Sequence, residues 1–192
     1  MNVIMNNREK LLHHALQLFA SRGYEAVGVQ EIAAAAGIQK PTLYHYFGSK
    51  KGLLLTLLTE NFDPFFEQLE QATAYQGDVT TSLRMVTKTC FDFASQNPRL
   101  YRFYLSTWFA PAESDAFQVS ASLRGRQQTY LETLFAAAAN DHGNMRDRQR
   151  AYAASFLGMV NTYIMLSLNG YAEFNDNLVY STVHQFMHGI FS

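Results

Sequence analysis

The chain of 192 residues is long enough for one medium domain or for a small domain beside a larger one. Its residues are 48% hydrophobic and only 16% charged, with a net charge of −1, which excludes a disordered chain and one that is basic throughout. The lone Cys90, among apolar neighbours, excludes an internal disulfide and predicts a buried structural thiol. The absence of a signal peptide or a long apolar run predicts a cytoplasmic protein without a membrane span.

Three short helices are predicted at the start of the chain. Residues 7–22 place apolar side chains three and four positions apart, which is the spacing of one helix face. Residues 29–36 form a second helix that stops at Gly37. A third runs from about residue 40 to 47, with Pro41 in its first turn, where a missing N–H costs nothing.

The fourth helix begins at Ser49, which is a suitable N-cap. Pro64 falls inside this helical stretch, and an interior proline removes one backbone hydrogen bond and clashes with the preceding turn. Two interpretations stay open. The helix ends near Phe62 and another begins, or it bends at Pro64, which then serves as a joint between the head and the body of the protein.

Helical signals continue to the end of the chain. Helices are predicted from about 78 to 96, 97 to 109, 114 to 139, 145 to 169 and 175 to 191, separated by glycine, proline and polar turns. No segment alternates at period two. The sequence therefore predicts an all-α protein with about nine helices and no sheet.

The second and third helices have the properties of a helix-turn-helix. The alanines at 33–36 allow close packing, Gly37 supplies a sharp turn, and Ile38 fills the angle between the helices. Leu43 and Phe47, four residues apart, anchor the third helix to the first. Its outward face then carries side chains that reach bases and phosphates in a major groove: Lys40, Thr42, Tyr44, His45 and Tyr46.

Charge is divided unevenly along the chain. Residues 1–52 hold six lysines and arginines against three acidic residues, a formal charge of +3, whereas residues 53–192 hold nine against 13, a formal charge of −4. A basic head on an acidic body is typical of a protein that meets phosphate at one end only.

The residues that carry this pattern resemble the N-terminal signature of the TetR/AcrR family of repressors over roughly positions 8–58. The matching residues are Phe19, Gly23, Tyr24, Ile32-Ala33, Ala36-Gly37-Ile38, Thr42-Leu43-Tyr44 and Tyr46-Phe47-Gly48-Ser49-Lys50. The resemblance implies a helix-turn-helix DNA-binding domain over residues 1–52, followed by a helical ligand-binding and dimerisation domain over residues 53–192.

The resemblance also implies which residues contact DNA. They are Gln30, Lys40, Pro41, Thr42, Tyr44, His45, Tyr46 and Lys50. Gln39, which departs from the family pattern, is expected to contribute to the same DNA surface. The sequence departs from the family at the two helix starts, since Gly28 and Gln39 stand where a capping Ser or Thr is usual.

A homodimer is the further expectation, with the last two helices of each copy pairing across a two-fold axis. Small side chains on the eighth helix and an apolar stripe on the ninth are compatible with this arrangement, although burial inside one subunit predicts the same pattern. The candidate interface residues are Ala151, Ala154, Gly158, Thr162, Val183, Met187 and Ile190.

The body is rich in aromatic residues, most of which are expected to be core. Some of them are expected to line a pocket for a small, largely apolar or aromatic effector. The candidates are Phe66, Phe91, Tyr104, Trp108, Phe156, Met159 and Tyr163. Effector binding is expected to move the helix at 97–109 against the fourth helix and so to change the spacing of the two recognition helices.

Enzyme motifs are missing from the sequence, and no cofactor or metal site is expected. His184 and His188, four residues apart, could share a metal, but no acidic or cysteine partner is near in sequence. The predicted function is a dimeric, effector-released repressor of a palindromic DNA operator. A DNA-binding activator and a ligand-free architectural DNA-binding protein are the alternatives.

Overall fold

A computed structural model describes residues 5–189, although not the side chain of Asn144. This part of the chain forms nine α-helices and two short 3₁₀ turns, with no strand, which confirms the predicted all-α fold. The helices are α1 (Asn7–Arg22), α2 (Val29–Ala35), α3 (Lys40–Phe47), α4 (Lys50–Thr73), α5 (Val79–Gln96), α6 (Pro98–Ser106), α7 (Asp115–Ala138), α8 (Gln149–Leu168) and α9 (Asp176–His188), with 3₁₀ turns at Thr107–Phe109 and Gly143–Met145.

The chain divides into two compact units. The first contains the described residues up to Phe62 together with Arg99–Ser122, and the second contains Asp63–Pro98 together with the described residues from Leu123 onward. The first unit therefore adds the beginning of α4, α6 and the first two turns of α7 to the three-helix head. The predicted boundary between residues 52 and 53 does not coincide with a division between these units and stays a prediction about function.

Aromatic contacts explain why α6 belongs to the first unit. The core of this unit includes Leu11, Phe19 and Leu43, whose side chains are buried. The ring of Phe19 stacks on Phe103 from α6, with 5.7 Å between centroids, and lies 5.1 Å from Tyr24. Aromatic pairs of this kind contribute about 0.5–1.5 kcal/mol beyond their buried area.

Helix starts in the first unit are capped unequally. Asn6 and Glu9 form a reciprocal capping box at α1, and the Ser49 hydroxyl accepts the Gly52 N–H at 2.9 Å, as the sequence predicts. Gly28 and Gln39 make no side-chain hydrogen bond at the starts of α2 and α3. These two short helices depend on packing of their buried faces.

α4 is one continuous helix through Pro64, so the interpretation that it ends near Phe62 is wrong. The proline ring is exposed, which places the Glu60 carbonyl that loses its helical donor on the solvent side. Apolar side chains are buried at the helical spacing on both sides of the proline. Burial of this stripe outweighs the local cost of the missing hydrogen bond.

The second unit is built around α5, α8 and α9, each of which contacts the other two. Phe186 of α9 packs 4.9 Å from Phe156 of α8 and 6.0 Å from Phe135 of α7. Cys90 of α5 is fully buried in its unit, and burial raises the pKa of its thiol to about 12. Its burial confirms the prediction of a buried thiol, and the raised pKa disfavours the reactive thiolate.

α8 corrects the expectation that no apolar run is long enough to span a membrane. By length and composition alone, its 20 residues are long and apolar enough to cross a membrane. One such helix is weak support for a span, because core helices of soluble proteins have the same composition. One face of α8, including Phe156 and Ile164, is buried in the second unit.

We predict that Gly52→Ala destabilises the protein by about 1–3 kcal/mol. A Cβ at this position would lie 2.0 Å from the Phe47 carbonyl oxygen and 3.2 Å from its carbon, both of which are backbone atoms that cannot swing aside. Urea unfolding followed by far-ultraviolet circular dichroism measures the loss.

Gly125→Ala is the matched control. Gly125 is an exposed residue of α7 with nothing within 4 Å of an added Cβ. Replacing glycine by alanine in an open helix position stabilises by roughly 0.5–1 kcal/mol. Equal and small effects of the two substitutions would contradict the proposed tight approach at Gly52.

Candidate nucleic-acid interface

The turn between α2 and α3 depends on Gly37. Its φ of +67° lies in the left-handed region, which strains any residue with a Cβ. The Gly37 N–H donates to the Ala34 carbonyl at 3.0 Å, and the Ile38 N–H donates to the Ala33 carbonyl at 2.9 Å. These bonds satisfy the last carbonyls of α2 while the chain reverses direction. The arrangement is that of a helix-turn-helix.

α3 has one buried and one exposed face. Leu43 is fully buried and Phe47 nearly so, which confirms their predicted anchoring role. Tyr44 and Tyr46, which lie between these two anchors in the sequence, are each 42% exposed. Two further predicted residues, Thr42 and Lys50, are half-buried. The predicted DNA-contacting residues together are named the recognition surface: Gln30, Gln39, Lys40, Pro41, Thr42, Tyr44, His45, Tyr46 and Lys50.

The recognition surface combines cations with flat rings. The Lys40 ammonium lies 5.7 Å from the centre of the Tyr44 ring, and the rings of His45 and Tyr46 meet edge to face at 5.6 Å. No acidic residue occurs between Glu31 and Glu60 in the sequence. The α3 segment itself therefore adds no negative charge that would repel phosphate.

Lys50, the member of the recognition surface outside α2 and α3, is the first residue of α4. Its ammonium lies 4.0 Å from the centre of the Tyr24 ring, and partial burial lowers the pKa of Lys50. The first turn of a helix also presents unsatisfied N–H groups and the positive end of the helix dipole. This placement agrees with a phosphate contact by Lys50, which stays a prediction.

Sequence reasoning missed a polar cluster that faces the start of α4. Asp115 accepts a hydrogen bond from the Tyr24 hydroxyl at 3.2 Å and pairs with the Lys51 ammonium at 3.1 Å. Lys51 also donates to Gln118 at 2.9 Å. We name these four residues the Asp115 cluster. Because Asp115 lies 64 and 91 residues from its partners, no local pattern could have indicated it.

Tyr24 is the fixed member of the Asp115 cluster. It is 5% exposed, and burial, reinforced by the Asp115 carboxylate, raises its pKa. A neutral, buried hydroxyl donates its hydrogen bond to Asp115 at every physiological pH. The tyrosine thus holds the carboxylate in place for Lys51.

The predicted effector residues take part in several aromatic contacts. In the first unit Tyr104 lies 4.6 Å from Phe62 and meets Trp108 edge to face at 5.7 Å. In the second unit Phe66 packs with Tyr130, Phe91 with Phe174 and Phe156 with Phe186. The Tyr163 hydroxyl donates to Gln185 at 2.6 Å, and Met159 is half-buried.

Phe91 also borders a groove of about 310 Å³ between α5 and the start of α9. Lys88, Asp92 and Asp176 contribute to its lining, so it is more polar than the pocket expected for an apolar effector. The effector role of all seven residues stays a prediction.

The candidate dimer residues fall into three groups. Ala151, Ala154, Gly158 and Thr162 are exposed along α8, and Met187 of α9 is half-buried. Val183 is only 1% exposed because it packs inside its own unit, so we remove it from the candidate surface. Ile190 lies outside the described residues.

Metal-binding side chains do not converge in the part of the chain that the structure describes. No group of three or more His, Cys, Asp and Glu residues is close enough there to hold an ion. His184 and His188 lie on neighbouring turns of α9, with 4.7 Å between ring centres.

Comparisons with known proteins agree with the geometry of the head. A family model described as bacterial regulatory proteins, tetR family, matches residues 11–57. The HTH-type transcriptional activator FasR of Mycolicibacterium smegmatis is 30% identical over 152 residues, which are 79% of this chain and 68% of FasR.

Two solved structures share the fold over nearly the whole chain. FadR from Bacillus subtilis, in complex with stearoyl-CoA, superposes with a TM-score of 0.76 at 18% identity, covering 94% of this chain and 98% of FadR. The fatty acid degradation regulator FadR from Bacillus halodurans superposes with a TM-score of 0.75, at the same identity and coverage.

Two neighbouring residues of α3 test the assignment of its faces. We predict that Leu43→Ala loses about 2–5 kcal/mol of stability, because the side chain is fully buried. Tyr44→Ala keeps the stability of the parent within about 0.5 kcal/mol but weakens DNA binding by about 1–3 kcal/mol. Thermal unfolding and fluorescence anisotropy measure the two effects, and a Tyr44→Ala protein with full affinity would remove Tyr44 from the recognition surface.

Proposed function

Because the chain belongs to the TetR family of bacterial transcriptional regulators, we propose that it acts in the cytoplasm as a homodimeric repressor of a palindromic operator, released by a small apolar effector. As a member of that family it is a DNA-binding regulator and not an enzyme. The observation that carries the proposal is the exposed face of α3, which offers Lys40, Tyr44 and His45, with no acidic residue between Glu31 and Glu60 in the sequence.

A palindromic operator follows from two-fold symmetry. One protomer offers a single recognition helix, which covers only half of a typical site. Two helices related by a two-fold axis match two inverted half-sites when they lie about 34–36 Å apart, or a multiple of this distance, along one side of the duplex. The proposal therefore requires a dimer.

The exposed side of α8 supports dimerisation. Its apolar composition is unusual for a helix with one open face, and that face carries Ala154, Gly158 and Thr162 one turn apart, followed by Leu166, which is 38% exposed. Small side chains let a second helix approach closely, and burying an apolar stripe favours association. We assign the occupant of this face to a second copy of the chain.

A fatty acyl effector is the class that we favour. FadR, which shares the fold, was solved with stearoyl-CoA. The present chain supplies buried aromatic rings at Phe66, Phe91 and Phe156 in its second unit, an environment compatible with an alkyl chain. Stearoyl-CoA is therefore the first probe for a thermal shift. A ligand-free architectural protein would show no stabilisation by any apolar compound.

Repression is the proposed direction of control, with activation as the alternative. FasR, the relative described above, carries the name of an activator. The direction depends on where the operator lies relative to the promoter, and in vitro transcription from an operator-bearing promoter, with and without protein, distinguishes the two.

Selection of bound duplexes from a random pool, repeated at several salt concentrations, tests DNA recognition directly. We expect an enriched palindrome and an affinity that falls steeply with salt, because cations on the protein displace the counterions of DNA. Binding without an enriched sequence favours the architectural alternative. Failure to bind any duplex, also after denaturing and refolding to remove a carried effector, overturns the proposal.

We predict that Ala154→Glu converts the dimer to a monomer without unfolding the protomer. Ala154 is exposed, so the protomer tolerates the larger side chain, whereas two glutamates facing each other across the axis lose both packing and charge balance. Light scattering after size exclusion measures the mass. Ala136→Glu, at an exposed position of α7, is the control and stays dimeric. A dimeric Ala154→Glu protein would place the interface elsewhere.

A further inference from the structure

Two adjacent lysines open α4, but their ammonium groups have different surroundings. Lys50 lies against the face of the Tyr24 ring, where the Glu25 and Asp115 carboxylates act on its charge without forming one of the ion pairs of the described residues. Lys51 is held by the Asp115 carboxylate and the Gln118 amide oxygen, at 3.1 and 2.9 Å. Both lysines lie in the first turn of α4, where the positive end of the helix dipole favours a phosphate.

The two carboxylate oxygens of Asp115 contact two different segments of the first unit. One accepts the Tyr24 hydroxyl, from the turn after α1, and the other pairs with Lys51 of α4. An exposed ion pair alone contributes only about 0–1 kcal/mol, because both side chains must be ordered. Here the buried Tyr24 already orders the carboxylate, so less entropy is lost when Lys51 joins it.

We propose that Asp115 is a positioning residue of the DNA interface: it holds the Lys51 ammonium away from the phosphate backbone, so that each protomer presents Lys50 and not Lys51 to DNA. The inference rests on the proposed function. It adds that Asp115, at the start of α7, controls how many phosphates the head neutralises.

The Asp115 cluster also connects the start of α7 to the recognition helix, α3, through contacts within the first unit. The first turn of α4 approaches the end of α3 so closely that a Cβ at Gly52 would meet the Phe47 carbonyl oxygen at 2.0 Å. A shift of α4 at Lys51 therefore moves α3 as well. Any effector that displaces the start of α7 releases Lys51 and disturbs the recognition surface together.

The salt dependence of DNA binding tests the proposal, since each phosphate contact contributes about 0.9 to the slope of log affinity against log salt. With the selected operator as probe, Lys50→Gln lowers this slope by about one per protomer, whereas Lys51→Gln leaves it unchanged. Asp115→Asn raises the slope by up to about one per protomer and tightens binding a fewfold at low salt.

A double-mutant cycle separates release of Lys51 from a general change of charge. Asp115→Asn has no effect on the slope in a Lys51→Gln background if Asp115 acts through Lys51. Glu113→Gln removes the same charge two residues away, from an exposed carboxylate, and is the matched control with an unchanged slope. The proposal is overturned if Lys51→Gln lowers the slope as far as Lys50→Gln does. It is also overturned if the effect of Asp115→Asn on the slope persists in the double variant.

Lysine reactivity in the free protein provides a readout that does not need DNA. Acetylation followed by mass spectrometry is expected to modify Lys51 several times more slowly than the exposed Lys10, and Asp115→Asn removes this difference. Equal rates in the wild-type protein contradict the proposal. A wild-type protein that binds no duplex while Lys51 is protected contradicts the proposed function and leaves the Asp115 cluster intact.

Discussion

The close approach of α4 to the end of α3 is the constraint on which the rest of the first unit depends. Gly52 allows the backbone at the start of α4 to pack against the backbone of Phe47 at the end of α3. The Ser49 cap starts α4 at this point, and Lys50 and Lys51 then leave its first turn. The contact of Asp115 with Lys51 therefore lies beside Lys50, a residue of the recognition surface.

Two helices of the protein carry faces that packing inside the protomer does not use. α3 buries Leu43 and Phe47 and exposes rings and cations, which suit a polyanionic duplex. α8 buries large apolar side chains and exposes small ones, which suit another helix. The chemistry of each open face, and not its exposure alone, distinguishes the proposed partner: phosphate and bases in one case and a second copy of the chain in the other.

Long-range packing decided the outcome wherever local signals were weak or opposed. Pro64 predicts an interruption, yet α4 continues because apolar side chains on both sides of it are buried. Gly28 and Gln39 leave α2 and α3 without side-chain caps, yet both helices form because their inner faces complete the core of the head. Helices this short are marginal alone, so tertiary burial supplies most of their stability.

The sequence by itself determined the all-helical fold, most helix ends and the two faces of α3, because helical periodicity, capping residues and glycine turns act over a few positions. Only the tertiary structure decided the path of α4 through Pro64 and the burial of Val183. It alone also revealed the pairing of Asp115 with Tyr24 and Lys51, since residues far apart in the chain meet only when helices pack, and no local pattern records which of them will be neighbours.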